Sequence, residues 1–256
     1  SDRLIQLKYQ PDVEDSESPV LVASLRTGSD GRTHFLPGID GDPQGDLWNV
    51  EIATPDGQLR VRQEGLTEPV SWWDFAIGNV PSELPAQLDL ALVIDTTGSM
   101  GDELEYLKQE ISRIVARTEQ LFPDVRQRFA LILYRDDGDR YVTRNFDFTD
   151  SLTEFQRTLS AQHAGGGGDY PEAMHAALEQ ASELSWQDRN TARIVFLVGD
   201  APPHGRHLQR TFDAVQKLRQ RDVAIFPIAG SGTRDEAEFT LRTAAFLTMG
   251  KYLFLT

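Results

Sequence analysis

The chain has 256 residues, 39% of them hydrophobic, with 13 Phe, 6 Tyr and 4 Trp, so it can bury a sizeable core and is not disordered throughout. A net charge of −15 repels phosphates, which argues against nucleic acid or an anionic membrane as partner. The absence of cysteine excludes disulfides, thiolate metal sites and a Cys nucleophile, and no apolar run approaches the roughly 18 residues of a membrane span.

In chain order, residues 1–79 show short β-like runs at 20–25, 33–36, 47–53, 58–63 and 70–77. Turn signals separate them: Gly28-Ser29-Asp30-Gly31, Pro37-Gly38 and Thr54-Pro55-Asp56-Gly57. Alternation in the last run puts Trp73, Phe75 and Ile77 on one face, and Trp72 and Trp73 read as core. A small all-β sandwich is the expectation here. Asp40, Asp42 and Asp46 lie in a Gly/Pro turn and read as a solvated loop rather than a calcium site. Residues 80–87, with Pro81 and Pro85, read as a stiff linker.

From residue 88 the pattern becomes strand–helix–strand. Residues 88–94 are almost continuously apolar, as a strand buried on both faces must be. In 102–122 Leu104, Leu107, Ile111, Ile114, Val115 and Leu121 recur at helical spacing. A buried strand at 129–134, an edge strand at 141–148, and helices at 152–159 and 171–184 follow. Then come a strand at 194–198, a helix at 207–219, a strand at 223–228, a helix at 237–247 and a last strand at 252–255. The alternation predicts an α/β fold with a doubly wound, mostly parallel six-stranded sheet over 88–256.

Open sheets of this kind bind ligands outside the carboxyl ends of their strands. Here the first buried strand ends in Asp95-Thr96-Thr97-Gly98-Ser99, the second in Tyr134-Arg135-Asp136 and the third in Gly199-Asp200-Ala201-Pro202-Pro203-His204. The run Gly165–168 delivers Asp169-Tyr170-Pro171-Glu172 to a helix start. If the strands are parallel, Asp95, Thr97, Ser99, Asp136, Asp169, Glu172 and Asp200 share one rim. So many carboxylates repel one another unless a cation lies among them, and a hard divalent ion suits this oxygen-rich set. Mg²⁺ is expected at the centre, with Mn²⁺ and Ca²⁺ as alternatives. Zinc and copper suit it less, since His204 is the one imidazole nearby. An ion held largely by hydroxyls and water keeps positive charge and can accept a further carboxylate from a protein partner.

These motifs resemble the metal-ion-dependent adhesion site of von Willebrand factor type A (vWA) domains, in the integrin β I-like and hemicentin-like subgroup. The resemblance rests on Asp95-x-Thr97-x-Ser99, Gly167-Gly168-Asp169-Tyr170-Pro171-Glu172 and the turn at Asp200, and covers roughly 87–256. It implies a non-enzymatic binding or adhesion module with the central ion on Asp95, Thr97, Ser99, Glu172 and Asp200. It further implies flanking Ca²⁺ sites, one at Asp102 and Glu103, the other at Asp136, Asp169, the Pro171 carbonyl and Glu172. Thr97 stands where integrin β has Ser and keeps the hydroxyl. The sequence stops just after the last strand, where most vWA domains continue into a C-terminal helix, so a domain without that helix is expected. The family's company implies an extracellular, periplasmic or cell-surface setting.

Three other readings are weaker. A serine hydrolase would use Ser99, Asp200 and His204, but Thr97-Gly98-Ser99-Met100-Gly101 is not Gly-x-Ser-x-Gly. Phosphoryl transfer through Asp95 lacks a credible Lys. Gly165–168 lacks the Lys-Ser/Thr of a phosphate loop. Asp102 and Glu103 also suit the positive end of a helix, and Asp169 with Pro171 also reads as an N-cap followed by an N1 proline.

Overall fold

The computed structural model describes residues 4–9, 20–27, 31–41, 47–54, 59–65, 73–76, 85–188 and 190–255. It divides into two compact units, Ser1–Glu83 and Leu84–Thr256.

The first unit is an antiparallel sheet. Strands β1 (Leu4–Tyr9), β2 (Val20–Arg26), β3 (Leu47–Ala53) and β4 (Leu59–Gly65) lie in the order β2-β1-β3-β4. Side chains alternate across a strand, so Trp48, Val50 and Ile52 of β3 reach one face with Leu7, Ala23 and Leu25 and form the core there. Phe35, Trp73 and Phe75 pack against it, and Phe35 meets Trp48 edge-on at 5.2 Å. The expected strand at 33–36 is not part of a described sheet, and 73–76 form no strand either. Among the described residues of this unit there is one sheet, and the second layer a sandwich requires is not present among them. Ile77, Trp72, Asp42, Asp46, residues 28–30 and 55–57, and 80–84 of the linker lie outside the described residues.

The second unit carries a six-stranded sheet in the order β10-β9-β8-β5-β6-β7. Its strands are β5 (Gln87–Asp95), β6 (Arg126–Tyr134), β7 (Thr143–Thr149), β8 (Thr191–Gly199), β9 (Val223–Ala229) and β10 (Leu253–Phe254). All neighbours are parallel except β6 and β7. The helices are α1 (Gly101–Leu121), α2 (Leu152–Ser160), α3 (Met174–Glu183), α4 (Leu208–Gln220) and α5 (Asp235–Leu247). Buried leucine and isoleucine side chains of β5 and β6 meet Leu104, Leu107, Ile111 and Val115 of α1 and Phe155 and Leu159 of α2. Ser151 caps α2 by accepting from Glu154 N at 3.2 Å. No helix among the described residues is long and apolar enough to cross a membrane.

One charge sits at the opposite end of β5 from the rim. Asp89 is fully buried and accepts from Arg128 Nε at 2.9 Å, from an Arg128 terminal nitrogen at 2.7 Å and from Gln187 N at 2.9 Å. A bidentate pair of this kind compensates a carboxylate that water cannot reach. Arg128→Met is expected to lower stability by about 3–5 kcal/mol, because it strands Asp89. Asp89→Asn combined with Arg128→Met should cost clearly less. Chemical denaturation of the two variants checks the order.

Candidate functional site

The sheet explains how distant residues meet. β5, β6 and β8 run parallel side by side, so the segments after Asp95, Tyr134 and Gly199 leave the same edge. The glycine run crosses to join them. Gly98 N donates to Gly166 O at 3.1 Å, and Gly165 N donates to Thr96 O at 3.0 Å. Gly166 and Gly167 have φ of +84° and +77°, where side chains are disfavoured. A Cβ on Gly166 would collide with the Asp139 carboxylate, and one on Gly167 would lie 3.0 Å from Glu172 Oε1 and 3.2 Å from Thr97 Cβ. Glycine there lets the main chain press against Thr97 and Glu172. Glu172 is pinned from both sides: its N–H donates to Pro202 O at 2.9 Å, and Ala173 N donates to Arg135 O at 3.1 Å.

Asp95 is wholly buried. Its Oδ1 accepts from Thr97 N at 2.8 Å and Thr97 Oγ1 at 2.7 Å, while Oδ2 is buried without a partner. Thr97 Oγ1 lies 3.4 Å from Ser99 Oγ, and Ser99 also bonds the Asp200 carboxylate. Glu172 is 4% exposed, yet its Oε2 has no partner either. Asp200 is 7% exposed, whereas Ser99 faces outward. Hydrogen bonds thus run from Asp95 through Thr97 and Ser99 to Asp200, and Glu172 lies near enough to Asp95 and Asp200 to be repelled by both.

Their electrostatics record the crowding. Burial, aided by Asp200 and Asp136, pushes Asp95 up to about 7 despite the two Thr97 bonds that favour its charge. Burial, then repulsion from Asp95, Asp136, Asp139 and Asp200, pushes Glu172 up to about 9. Asp200 is also raised, chiefly by burial. Burial and then Asp95, Asp200 and Glu172 hold the Tyr134 phenol well above its ordinary range. These are all oxygens, mutually repulsive and partly unpaired, a donor set that fits a hard divalent cation.

The flanking positions differ from the central five in exposure and partners. Glu103 is buried, and its Oε1 accepts from Ser231 N at 2.9 Å and from Ser231 Oγ. Burial opposes its charge, but the Ser231 bonds prevail and hold it below the ordinary carboxylate value. Its neighbour Asp102 is exposed. The two differ in exposure: Glu103 faces inward and Asp102, the position before it, outward. Asp169 is likewise exposed, and caps no helix, since α3 begins only at Met174 with Ala173 as its cap residue.

Asp136 has a partner that sequence reasoning did not assign. His204 Nε2 lies 2.6 Å from Asp136 Oδ1, and with Asp137 the two offer ligand atoms within 4.8 Å of one another. Arg206 already pairs with Asp137 at 2.7 Å, so this group is partly neutralised by the protein itself. The serine-hydrolase arrangement is not formed: Ser99 bonds Thr97 and Asp200, and His204 is engaged with Asp136. His207 stacks on buried His175 at 4.0 Å, and burial followed by His207 and Arg210 lowers His175 to about 4. Residues so far apart in sequence gave no local pattern by which these pairs could be found.

A parallel sheet with an Asp-x-Thr-x-Ser turn at its carboxyl edge defines a class, and comparison names it. Residues 89–246 match the family described as von Willebrand factor A domain, and the chain belongs to it. A putative ariadne-like RING finger protein of Acanthamoeba polyphaga mimivirus is 29% identical over 188 residues, 66% of this chain and 18% of that protein. Hemicentin-2 of Mus musculus is 30% identical over 141 residues, 55% of this chain and 3% of that protein. The chain spans less than a fifth of the length of these two relatives. Proximal thread matrix protein 1 from the mussel byssus, solved with a zinc-occupied MIDAS motif, shares the fold. Its TM-score is 0.52 at 19% identity, covering 67% of this chain and 42% of that one.

The raised carboxyls make a pH prediction for the metal-free protein. A carboxyl that titrates higher folded than unfolded binds more protons in the folded state between the two values. Stability in EDTA should therefore fall as pH rises from about 4, the ordinary carboxylate range, through about 7 for Asp95 and about 9 for Glu172. Melting temperatures in EDTA across pH 5–9 check this, and a flat or rising curve contradicts it. Glu172→Gln should flatten the upper part of the slope.

Proposed function

We propose that this chain is a divalent-cation-dependent protein-binding module, in which an ion at the rim accepts an acidic side chain from a protein partner. Asp95, Thr97, Ser99, Glu172 and Asp200 would hold the ion, which supplies a fixed positive charge to a partner's carboxylate. The observation that carries this is the pair of buried, unpaired oxygens, Asp95 Oδ2 and Glu172 Oε2, among mutually repelling acids. Membership of the vWA family and the zinc-occupied MIDAS motif of the mussel protein support a divalent ion, with Mg²⁺ our assignment for this chain. Flanking Ca²⁺, at Asp102 and Glu103 or at Asp136, Asp169, the Pro171 carbonyl and Glu172, belongs to the same proposal; Glu103 Oε2 is buried without a partner, while Asp136 bonds His204.

The protein's own residues have separate tasks in this reading. Thr97 holds Asp95 Oδ1 through its N–H and hydroxyl, which leaves Oδ2 free. The docked glycine run walls off the site beside Thr97 and Glu172. Ser99, Gly98 and residues 166–169 are exposed and mark the face a partner approaches. Tyr170 bonds Asp200 O at 3.1 Å and accepts from Arg234 N at 2.9 Å, and its ring carries the Arg234 guanidinium at 4.2 Å. That places an exposed cation near the rim, in keeping with an acidic partner. In this reading the role is non-enzymatic binding, and the setting extracellular, periplasmic or cell-surface.

Mass action gives the test. An ion present at a hundred times its dissociation constant stabilises the folded state by about 2.7 kcal/mol. For a unit of this size that raises melting temperature by about 5–10 °C. Mg²⁺, Mn²⁺ and Ca²⁺ should each be compared with EDTA. Asp95→Asn, which keeps an acceptor for Thr97, and Asp200→Ala should lose the rise while still melting cooperatively. A metal response unchanged in both variants would defeat the assignment. Pull-down from a source extract should recover the partner only without EDTA.

A further inference from the structure

Tyr134, the last residue of β6, presents a fully buried hydroxyl with no hydrogen-bond partner. A buried phenol ordinarily finds one. Its surroundings are fixed by register: Asp95 pairs with Tyr134 across β5 and β6, and Gly199 closes β8 on the other side of β5. A Cβ on Gly199 would lie 2.5 Å from Tyr134 Oη, 3.5 Å from Asp95 Cβ and 3.7 Å from Asp95 Oδ2. The phenol oxygen and the unpaired carboxylate oxygen thus face the same bare stretch of main chain. One is a donor in need of an acceptor, the other only an acceptor.

We infer that Tyr134 is a positioning residue of the metal site: its hydroxyl, unpartnered without the ion, would turn to donate to Asp95 Oδ2 in the ion-bound state and set the orientation of that carboxylate. The bare Cα of Gly199 provides the room the hydroxyl occupies. This rests on the reading of Asp95 as a ligand. Groups that hydrogen-bond a ligating carboxylate orient it, and their loss weakens metal affinity by about 10–100-fold.

The test pairs titration with stability. Tyr134→Phe keeps the ring and removes one oxygen. Its Mn²⁺ dissociation constant, measured by isothermal titration, should rise by about 10–100-fold over the parent. Its melting temperature in EDTA should equal or exceed the parent's, since no formed hydrogen bond is lost, while its gain on adding Mn²⁺ shrinks. Gly199→Ala should weaken Mn²⁺ binding in the parent and much less in the Tyr134→Phe background, where the added methyl no longer meets a hydroxyl. If Tyr134→Phe binds Mn²⁺ like the parent, the inference fails and the site reading stands. An equal drop in melting temperature with and without Mn²⁺ makes the hydroxyl merely structural and also overturns it. If the parent itself binds no Mn²⁺, the site reading fails and takes this inference with it.

Discussion

Repulsion among carboxylates that cannot reach water governs this protein. Asp95, Glu172 and Asp200 are each at most 7% exposed and each is pushed toward its neutral form. Burying one unpaired carboxylate is costly, and burying several together is more so. The cost is concentrated at one edge of the sheet, while the rest of the second unit is packed conventionally, with apolar strands under apolar helix faces. A fold that tolerates such a defect at one place has stability elsewhere to offset it, and the defect is where a ligand has most to relieve.

Most of the second unit was legible because its local signals agree with its global arrangement. Residues 88–94 and 129–134 are nearly all apolar and became β5 and β6, buried on both faces. The helical spacing through Leu104, Leu107, Ile111 and Val115 became the inward face of α1. The rim followed from strand direction alone. The first unit was harder. Its β1 went unread because Ile5 and Leu7 alternate with polar residues over too short a run. The run at 33–36 has strand composition but joins no described sheet, and strand propensity counts for little outside one.

Within the site, contiguous motifs were readable and contacts between motifs were not. Asp95, Thr97 and Ser99 sit in one turn, so their spacing announces them. Asp136 and Asp169 were grouped with Glu172 by proximity to strand ends, yet Asp136 is taken by His204 and Asp169 turns outward. Nothing in the local sequence of either loop specifies that His204 rather than Asp169 faces Asp136. The Tyr134 hydroxyl was invisible for a related reason: a tyrosine ending an apolar strand reads as core, and its polar tip matters only once Asp95 and Gly199 are placed around it.

The seam between the first rim loop and the glycine run is made by main-chain atoms: Gly98 to Gly166 and Gly165 to Thr96. No side chain takes part in those two bonds. The outward-facing positions on either side are consequently released from any duty to hold the loops together. Substitutions there can alter shape and charge toward an outside molecule while the ligand cluster beneath keeps its form. Such a separation of framework from reading surface lets one inherited scaffold acquire many recognition habits without being rebuilt for each.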